Sequence, residues 1–152
     1  MRWCRFGETA SEAWGLVDKQ GRVRDASSIL LDLADPLPIL TDFQVEQLPL
    51  VAKATRLGPC VPRPGKFIGI GLNYSDHAEE TGMAIPEQPI VFMKASSSIC
   101  GPMDDLILPA GAVKTDWEIE LAFVIGKPAK NVSVEDALSH VAGYMVCNDV
   151  SD

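Results

Sequence analysis

Glu118 and Glu120 stand two residues apart in Lys114-Thr-Asp-Trp-Glu-Ile-Glu-Leu-Ala-Phe-Val-Ile-Gly126. Two carboxylates at that spacing can hold a cation, provided they point the same way. Trp117, Ile119, Leu121, Phe123 and Ile125 are all apolar, with Glu118, Glu120, Ala122 and Val124 between them. That period of two predicts a strand. Its pleat sets Glu118 and Glu120 on one face with stems about 6.6 Å apart, close enough to converge on one ion. An isolated Glu-x-Glu is more often a solvated face. Here the same face turns apolar at Ala122, which predicts a strand running from a polar pocket into a core. Asp149, near the end of a second apolar strand over Tyr144–Asp152, can add a third carboxylate, although a residue there can equally serve a strand-end turn. Three oxygen donors, with Cys147 the only soft ligand nearby in sequence, favour Mg²⁺ over Zn²⁺, with Mn²⁺ or Ca²⁺ as alternatives.

A second set lies upstream. In Phe67-Ile-Gly-Ile-Gly71 followed by Leu72-Asn-Tyr-Ser-Asp-His-Ala-Glu-Glu80, a short buried strand ends in glycines and a helix follows. Asp76 and Glu79 have capping-box spacing, which predicts a helix start there. His77 and Glu80 then share a face. A lone His at a helix start is more often a packing or capping residue, but a carboxylate one turn on can orient the imidazole and stabilise its charged form, the arrangement that activates water. Lys94, at the end of an Ile90–Lys94 strand and beside three serines, can hold a substrate carboxylate. His140 reads as structural, at a helix C-terminus. Gly69 and Gly71 do not make a dinucleotide site, because the third glycine position holds Tyr74 and no βαβ unit follows.

The elements that must position these groups read as follows. Short strands are expected over Met1–Phe6 and Ala13–Val17, with a turn at Lys19-Gln20-Gly21 and a return through Val23. Helices are expected over Ser28–Ala34 and Thr41–Leu48, the latter opened by Thr41 and Gln44. Gly58, Pro59, Pro62, Pro64 and Gly65 predict a linker over Ala52–Lys66. Leu106–Leu108 reads as extended, and Ser133 with Asp136 opens a helix through Val141 that ends at Gly143. The fold class is mainly β with short helices (α+β). A small β-rich domain over residues 1–60 precedes the part that carries the chemistry, residues 61–152.

Composition excludes several classes. Acidic residues outnumber basic ones by 21 to 13, a formal charge of -8, which argues against a nucleic-acid partner. A hydrophobic content of 47% supports a core. No apolar run reaches the roughly 20 residues of a membrane span, and no signal-like segment follows Met1, so the expectation is a cytoplasmic protein without a membrane partner. Cys4, Cys60, Cys100 and Cys147 are widely spaced, without a zinc or disulfide pattern.

With these residues in place, four stretches in order resemble the fumarylacetoacetate hydrolase family: Gly69–Glu80, Phe92–Lys94, Asp116–Gly126 and Gly143–Ser151. The resemblance covers about Lys66–Asp152. It implies the N-terminal half of a mixed β-roll, usually dimeric, with Glu118, Glu120 and Asp149 as ligands of a divalent metal and His77 and Glu80 activating water on a lid-like helix. It further implies a small oxo-acid substrate, closest in texture to the 2,4-diketo-3-deoxy sugar acids, cleaved at a carbon–carbon bond to pyruvate and a hydroxy acid. Ureidoglycolate lyase, oxaloacetate decarboxylase, hydratase and isomerase chemistry are the alternatives within the family. A non-catalytic binding module or inactive fragment is the alternative outside it. Relatives continue well past the position of Asp152, so turnover by residues 1–152 alone is not expected.

Overall fold

The computed structural model describes residues 1–30, 37–53 and 55–152. Within them the first three strands, β1 (Arg2–Phe6), β2 (Ala13–Val17) and β3 (Val23–Asp25), form an antiparallel meander. The β2–β3 turn is built by Asp18, whose carboxylate accepts the N–H groups of Gln20 at 3.0 Å and Arg22 at 2.8 Å while Gly21 takes a positive φ of 78°. Helix α1 (Asp42–Gln47) lies against this sheet and supplies Val45 to a buried cluster with Leu16 and Ala26. Its start obeys the capping-box spacing. Thr41 Oγ1 accepts the Gln44 N–H and Gln44 Oε1 accepts the Thr41 N–H.

The expected linker over 52–66 contains a strand. β4 (Leu57–Gly58) pairs with β1, giving the sheet order β3-β2-β1-β4. Two residues are too few for periodicity to reveal, and the pairing that fixes them is with residues more than fifty positions away. Most of the helix expected over Ser28–Ala34 falls on residues 31–36, outside the described residues.

The remaining strands form two antiparallel ribbons. β5 (Phe67–Gly71) pairs with β6 (Ile90–Lys94) across α2 (Ser75–Thr81). The Phe92 ring lies over Gly69, its register partner, and a Cβ there would push the ring aside. β7 (Ile119–Ile125) pairs with β8 (Val141–Asn148) across α3 (Val134–Ala137), with a bulge at Val124/Ile125. The whole is mainly β with short helices. Arg56 ties the first sheet to the rest, donating to Glu12 at 2.9 Å and to Asp104 at 2.7 and 2.5 Å.

Several expected boundaries move. Asp76 is not the cap of α2: Tyr74 takes that place without a side-chain bond, and the Asp76 carboxylate accepts the His77 N–H inside the first turn. The helix opened by Ser133 stops at Ala137, passes through a 3-10 turn over Leu138–His140, and gives way to β8, so Gly143 is a strand residue. Pairing with β7 wins over local helix preference. His140 closes that turn, and its carbonyl accepts the Gly126 N–H at 2.8 Å. Leu106–Leu108 joins no ladder among the described residues.

Candidate functional site

The site is built at one end of the β7–β8 ribbon. Ile119 pairs with Asn148 and Glu120 with Cys147. The pairing continues outward, with the Asp149 N–H donating to the Glu118 carbonyl at 2.8 Å and Asp116 bridging Ser151. Alternation along this ladder puts Glu118, Glu120, Cys147 and Asp149 on one face, half-buried like Ala122, Val124 and Met145 further along it. The face does turn from polar to apolar along its length. The odd-numbered apolar residues of β7 lie on the opposite face and are exposed.

Two side chains from the other ribbon reach these carboxylates. Lys94, the last residue of β6, donates from Nζ to Asp149 Oδ1 and to the Val150 carbonyl at 3.3 Å. Asn73 donates from Nδ2 to Glu120 Oε2 at 3.2 Å. Leu72, just before it, holds a positive φ of 48°, a strained turn that directs the chain off β5 toward Glu120. Asn148 fixes the start of β7 by accepting the Glu118 N–H at 3.1 Å on its Oδ1. Neither asparagine was singled out from sequence. Each neighbours a residue that was, Asn148 beside Asp149 and Asn73 in the turn before His77.

Burial pushes the Cys147 thiol above its ordinary pKa, with the Asp149 and Glu120 carboxylates adding to the rise and Lys94 opposing it. Glu118, Glu120 and Asp149 put three carboxylates beside that thiol on the one face, so the donors there are mostly oxygen. Glu118, Glu120 and Asp149 fit a hard divalent ion in donor type and share a face. As placed, however, no three His, Cys, Asp or Glu side chains among the described residues gather about one point. Asp149 is turned to Lys94 and Glu120 to Asn73.

His77 and Glu80 sit on exposed positions of α2, while Ala78 between them is buried and seats the helix. Among the described residues, neither side chain hydrogen-bonds to the other. The His77 carbonyl accepts from the Thr81 hydroxyl at 2.8 Å, and its N–H is held by Asp76. The dyad thus shares one short helix without being locked. Gly82, with a φ of 65°, caps that helix.

Residues 66–152, more than half of the chain, match the family model described as fumarylacetoacetate (FAA) hydrolase C-terminal. The chain belongs to the fumarylacetoacetate hydrolase family. A presumed hydrolase of Burkholderia multivorans is 51% identical over 158 residues, a match that takes in 100% of this chain and 56% of the relative. The chain thus spans about half the length of the curated relatives it matches. Among solved structures, fumarylacetoacetate hydrolase from Exiguobacterium antarcticum is similar at a TM-score of 0.79 and 30% identity, over 99% of this chain and 56% of that one. The 5-carboxymethyl-2-hydroxymuconate delta-isomerase from Mycobacterium smegmatis is similar at 0.68 and 30%, over 99% and 55%. Maleylpyruvate hydrolase from Sphingobium sp. SYK-6, solved with manganese(II) ion and pyruvate, is similar at 0.72 and 27%, over 99% and 58%. No helix among the described residues is long and apolar enough to cross a membrane.

Proposed function

We propose that the chain forms the metal-binding half of a hydrolase that cleaves a 2,4-diketo acid, such as a 2,4-diketo-3-deoxy sugar acid, to pyruvate and a hydroxy acid. The observation that carries this is the single half-buried face bearing Glu118, Glu120 and Asp149, with Lys94 and Asn73 reaching it from the other ribbon. The Sphingobium neighbour, with manganese and pyruvate together, supports both the divalent ion and the product. Glu118, Glu120 and Asp149 would hold Mg²⁺ or Mn²⁺. A divalent ion bound there supplies Lewis acidity, drawing electron density from the oxygens of an oxo acid.

The protein's own groups do the rest. The Lys94 ammonium pairs with the substrate carboxylate and fixes its orientation. His77 takes a proton from the water that attacks the C4 carbonyl, and Glu80 steadies the imidazolium so formed. The C3–C4 bond then breaks, its electron pair leaving on the pyruvate fragment as the enolate. That fragment takes up a proton at C3, so water and diketo acid become pyruvate and a carboxylic acid. The isomerase neighbour favours one second reading, in which a proton is taken from C3 of the intact oxo acid and the resulting enolate is reprotonated at another carbon, with no carbon–carbon bond broken.

A direct test joins residues 1–152 to the part of the Burkholderia multivorans relative that they do not match, and follows release of pyruvate from diketo acids and oxaloacetate and of glyoxylate from ureidoglycolate. Diketo-acid cleavage that depends on Mg²⁺ or Mn²⁺ is expected, lost in EDTA and in Glu118→Gln or Glu120→Gln with folding retained. His77→Ala should lower kcat by about 10² to 10⁴ without weakening metal binding. Full activity in EDTA, or in both glutamine variants, refutes the metal assignment, and an unchanged kcat removes His77 as the base. Isomerised substrate without pyruvate would establish the second reading.

A further inference from the structure

We infer that Lys94 is an internal counter-cation of the site: its ammonium holds Asp149 until a divalent ion takes that carboxylate, and the ion's arrival releases it. The inference rests on the metal reading above and adds to it a competition between two cations for one ligand. Among the described residues, Glu118, Glu120 and Asp149 share a face, yet Lys94 is the one cationic side chain that pairs with any of them. The pair is sheltered, with 24% of the lysine side chain and 13% of the aspartate exposed. Carboxylates that share a half-buried face repel one another unless a positive charge offsets them, and Lys94 brings one to Asp149 from the other ribbon.

An ammonium suits that duty better than a guanidinium would. It is a compact point charge on a flexible stem, able to leave without breaking a bidentate fork. A divalent ion at Asp149 repels an ammonium a few ångströms away, so the two do not occupy the carboxylate together without mutual cost. Once released, Lys94 is free to meet the substrate carboxylate. Ion binding and substrate pairing are thereby ordered: the second requires the first.

The sign of one measurement decides this. Mn²⁺ alone is titrated into the 152-residue chain and its Lys94→Met and Lys94→Arg variants, with free Mn²⁺ read by electron paramagnetic resonance. Removing the competing charge should tighten Mn²⁺ binding roughly tenfold in Lys94→Met, while Lys94→Arg, whose fork gives up the carboxylate less readily, should bind Mn²⁺ no more tightly than the parent. A lysine that merely supports the fold, or one that orients Asp149, gives weaker binding on removal, and a lysine reserved for substrate gives no change. Either result overturns the inference. Because Lys94→Met can misfold, the unaltered chain provides a second readout: acylation of the Lys94 amine, mapped by mass spectrometry, should rise when Mn²⁺ is added. Constant or falling reactivity overturns the inference while leaving the metal reading intact. Absence of Mn²⁺ binding in the unaltered chain overturns the metal reading first.

Discussion

In the first sheet β2 buries Trp14 and Leu16, whereas β7, longer and alternating in burial along its whole length, leaves Leu121 62% and Phe123 57% exposed. The same contrast runs through every level of the two regions. Residues 1–58 have four paired strands, a helix closed by a capping box, a T-shaped Trp3–Trp14 contact at 6.4 Å and a buried cluster around Leu16. Residues 66–152 have two separate two-stranded ribbons, and Ala78 is their one fully buried apolar residue among those described. Local sequence predicts a strand in both places, but burial depends on what is packed against the strand, which is a property of the whole fold.

The area makes the contrast quantitative. The chain exposes 11420 Å², against roughly 7,500 Å² expected of a self-contained folded chain of 16.4 kDa. The excess of roughly 4,000 Å² exceeds one side of most dimer interfaces. Part of it lies on Ile119, Leu121, Phe123, Ile125, Tyr144 and Val146, one apolar face of the β7–β8 ribbon. Among the described residues, each ribbon also has two edges without a strand partner. The largest expected effect follows: at micromolar concentration the 152-residue chain should associate through these faces and edges. Light scattering after size exclusion should show oligomers, and Leu121→Lys with Phe123→Lys should shrink them while the circular dichroism of the first sheet persists. A monodisperse monomer with one sharp unfolding transition would break the comparison, since both regions would then be complete.

A matched pair of truncations sharpens it at the level of single side chains. Leu16 is 1% exposed and lies in the buried cluster, so Leu16→Ala should cost about 2 to 5 kcal/mol. Leu121→Ala removes the same atoms from an open face and should change stability by no more than about 0.5 kcal/mol. Urea unfolding followed through the fluorescence of Trp3 and Trp14 measures both. Equal costs would mean that the β7 face is covered in solution.

What could be read in advance divides along the same line. The bounds of β2, β5 and β6, the Thr41 cap and the Ser133 cap depend on neighbours a few residues away, and the structure has them where the sequence places them. The carboxylate face was legible for the same reason, because a pleat of period two sets which way Glu118 and Glu120 point. β4 was not legible, nor was the early end of the Ser133 helix, because each is imposed by a distant strand, β1 in one case and β7 in the other. Asn73 reaches Glu120 across 47 positions and Lys94 reaches Asp149 across 55, separations at which no local pattern signals contact. The even face of β7, read as running from a polar pocket into a core, is half-buried along its length, while the strongly apolar odd face has no cover among the described residues.

The smallest expected effect uses acid to probe the region that is already complete. Asp18 is buried, and burial alone would raise its pKa. The Arg22 N–H and the Arg24 and Arg22 guanidinium groups outweigh that, holding it at about 2 rather than an ordinary 3.8. Because the folded value lies below the unfolded one, the aspartate's contribution to stability is full above about pH 4. It drains away as the pH falls toward about 2. Glu12 and Asp104 are lowered as well, chiefly by their hydrogen bonds to Arg56, so the unaltered chain loses stability in acid from several groups at once. The difference between that chain and Asp18→Asn isolates one of them. At pH 7 the variant should unfold at a lower temperature, because its amide cannot accept at every position the carboxylate serves. The gap should narrow steadily between pH 4 and 2, as protonation removes the same interactions from the parent. Thermal melts read through Trp3 and Trp14 at half-unit pH steps would show it. A gap that stays constant down to pH 2 would mean that the turn, and not the charge of Asp18, is what this region depends on.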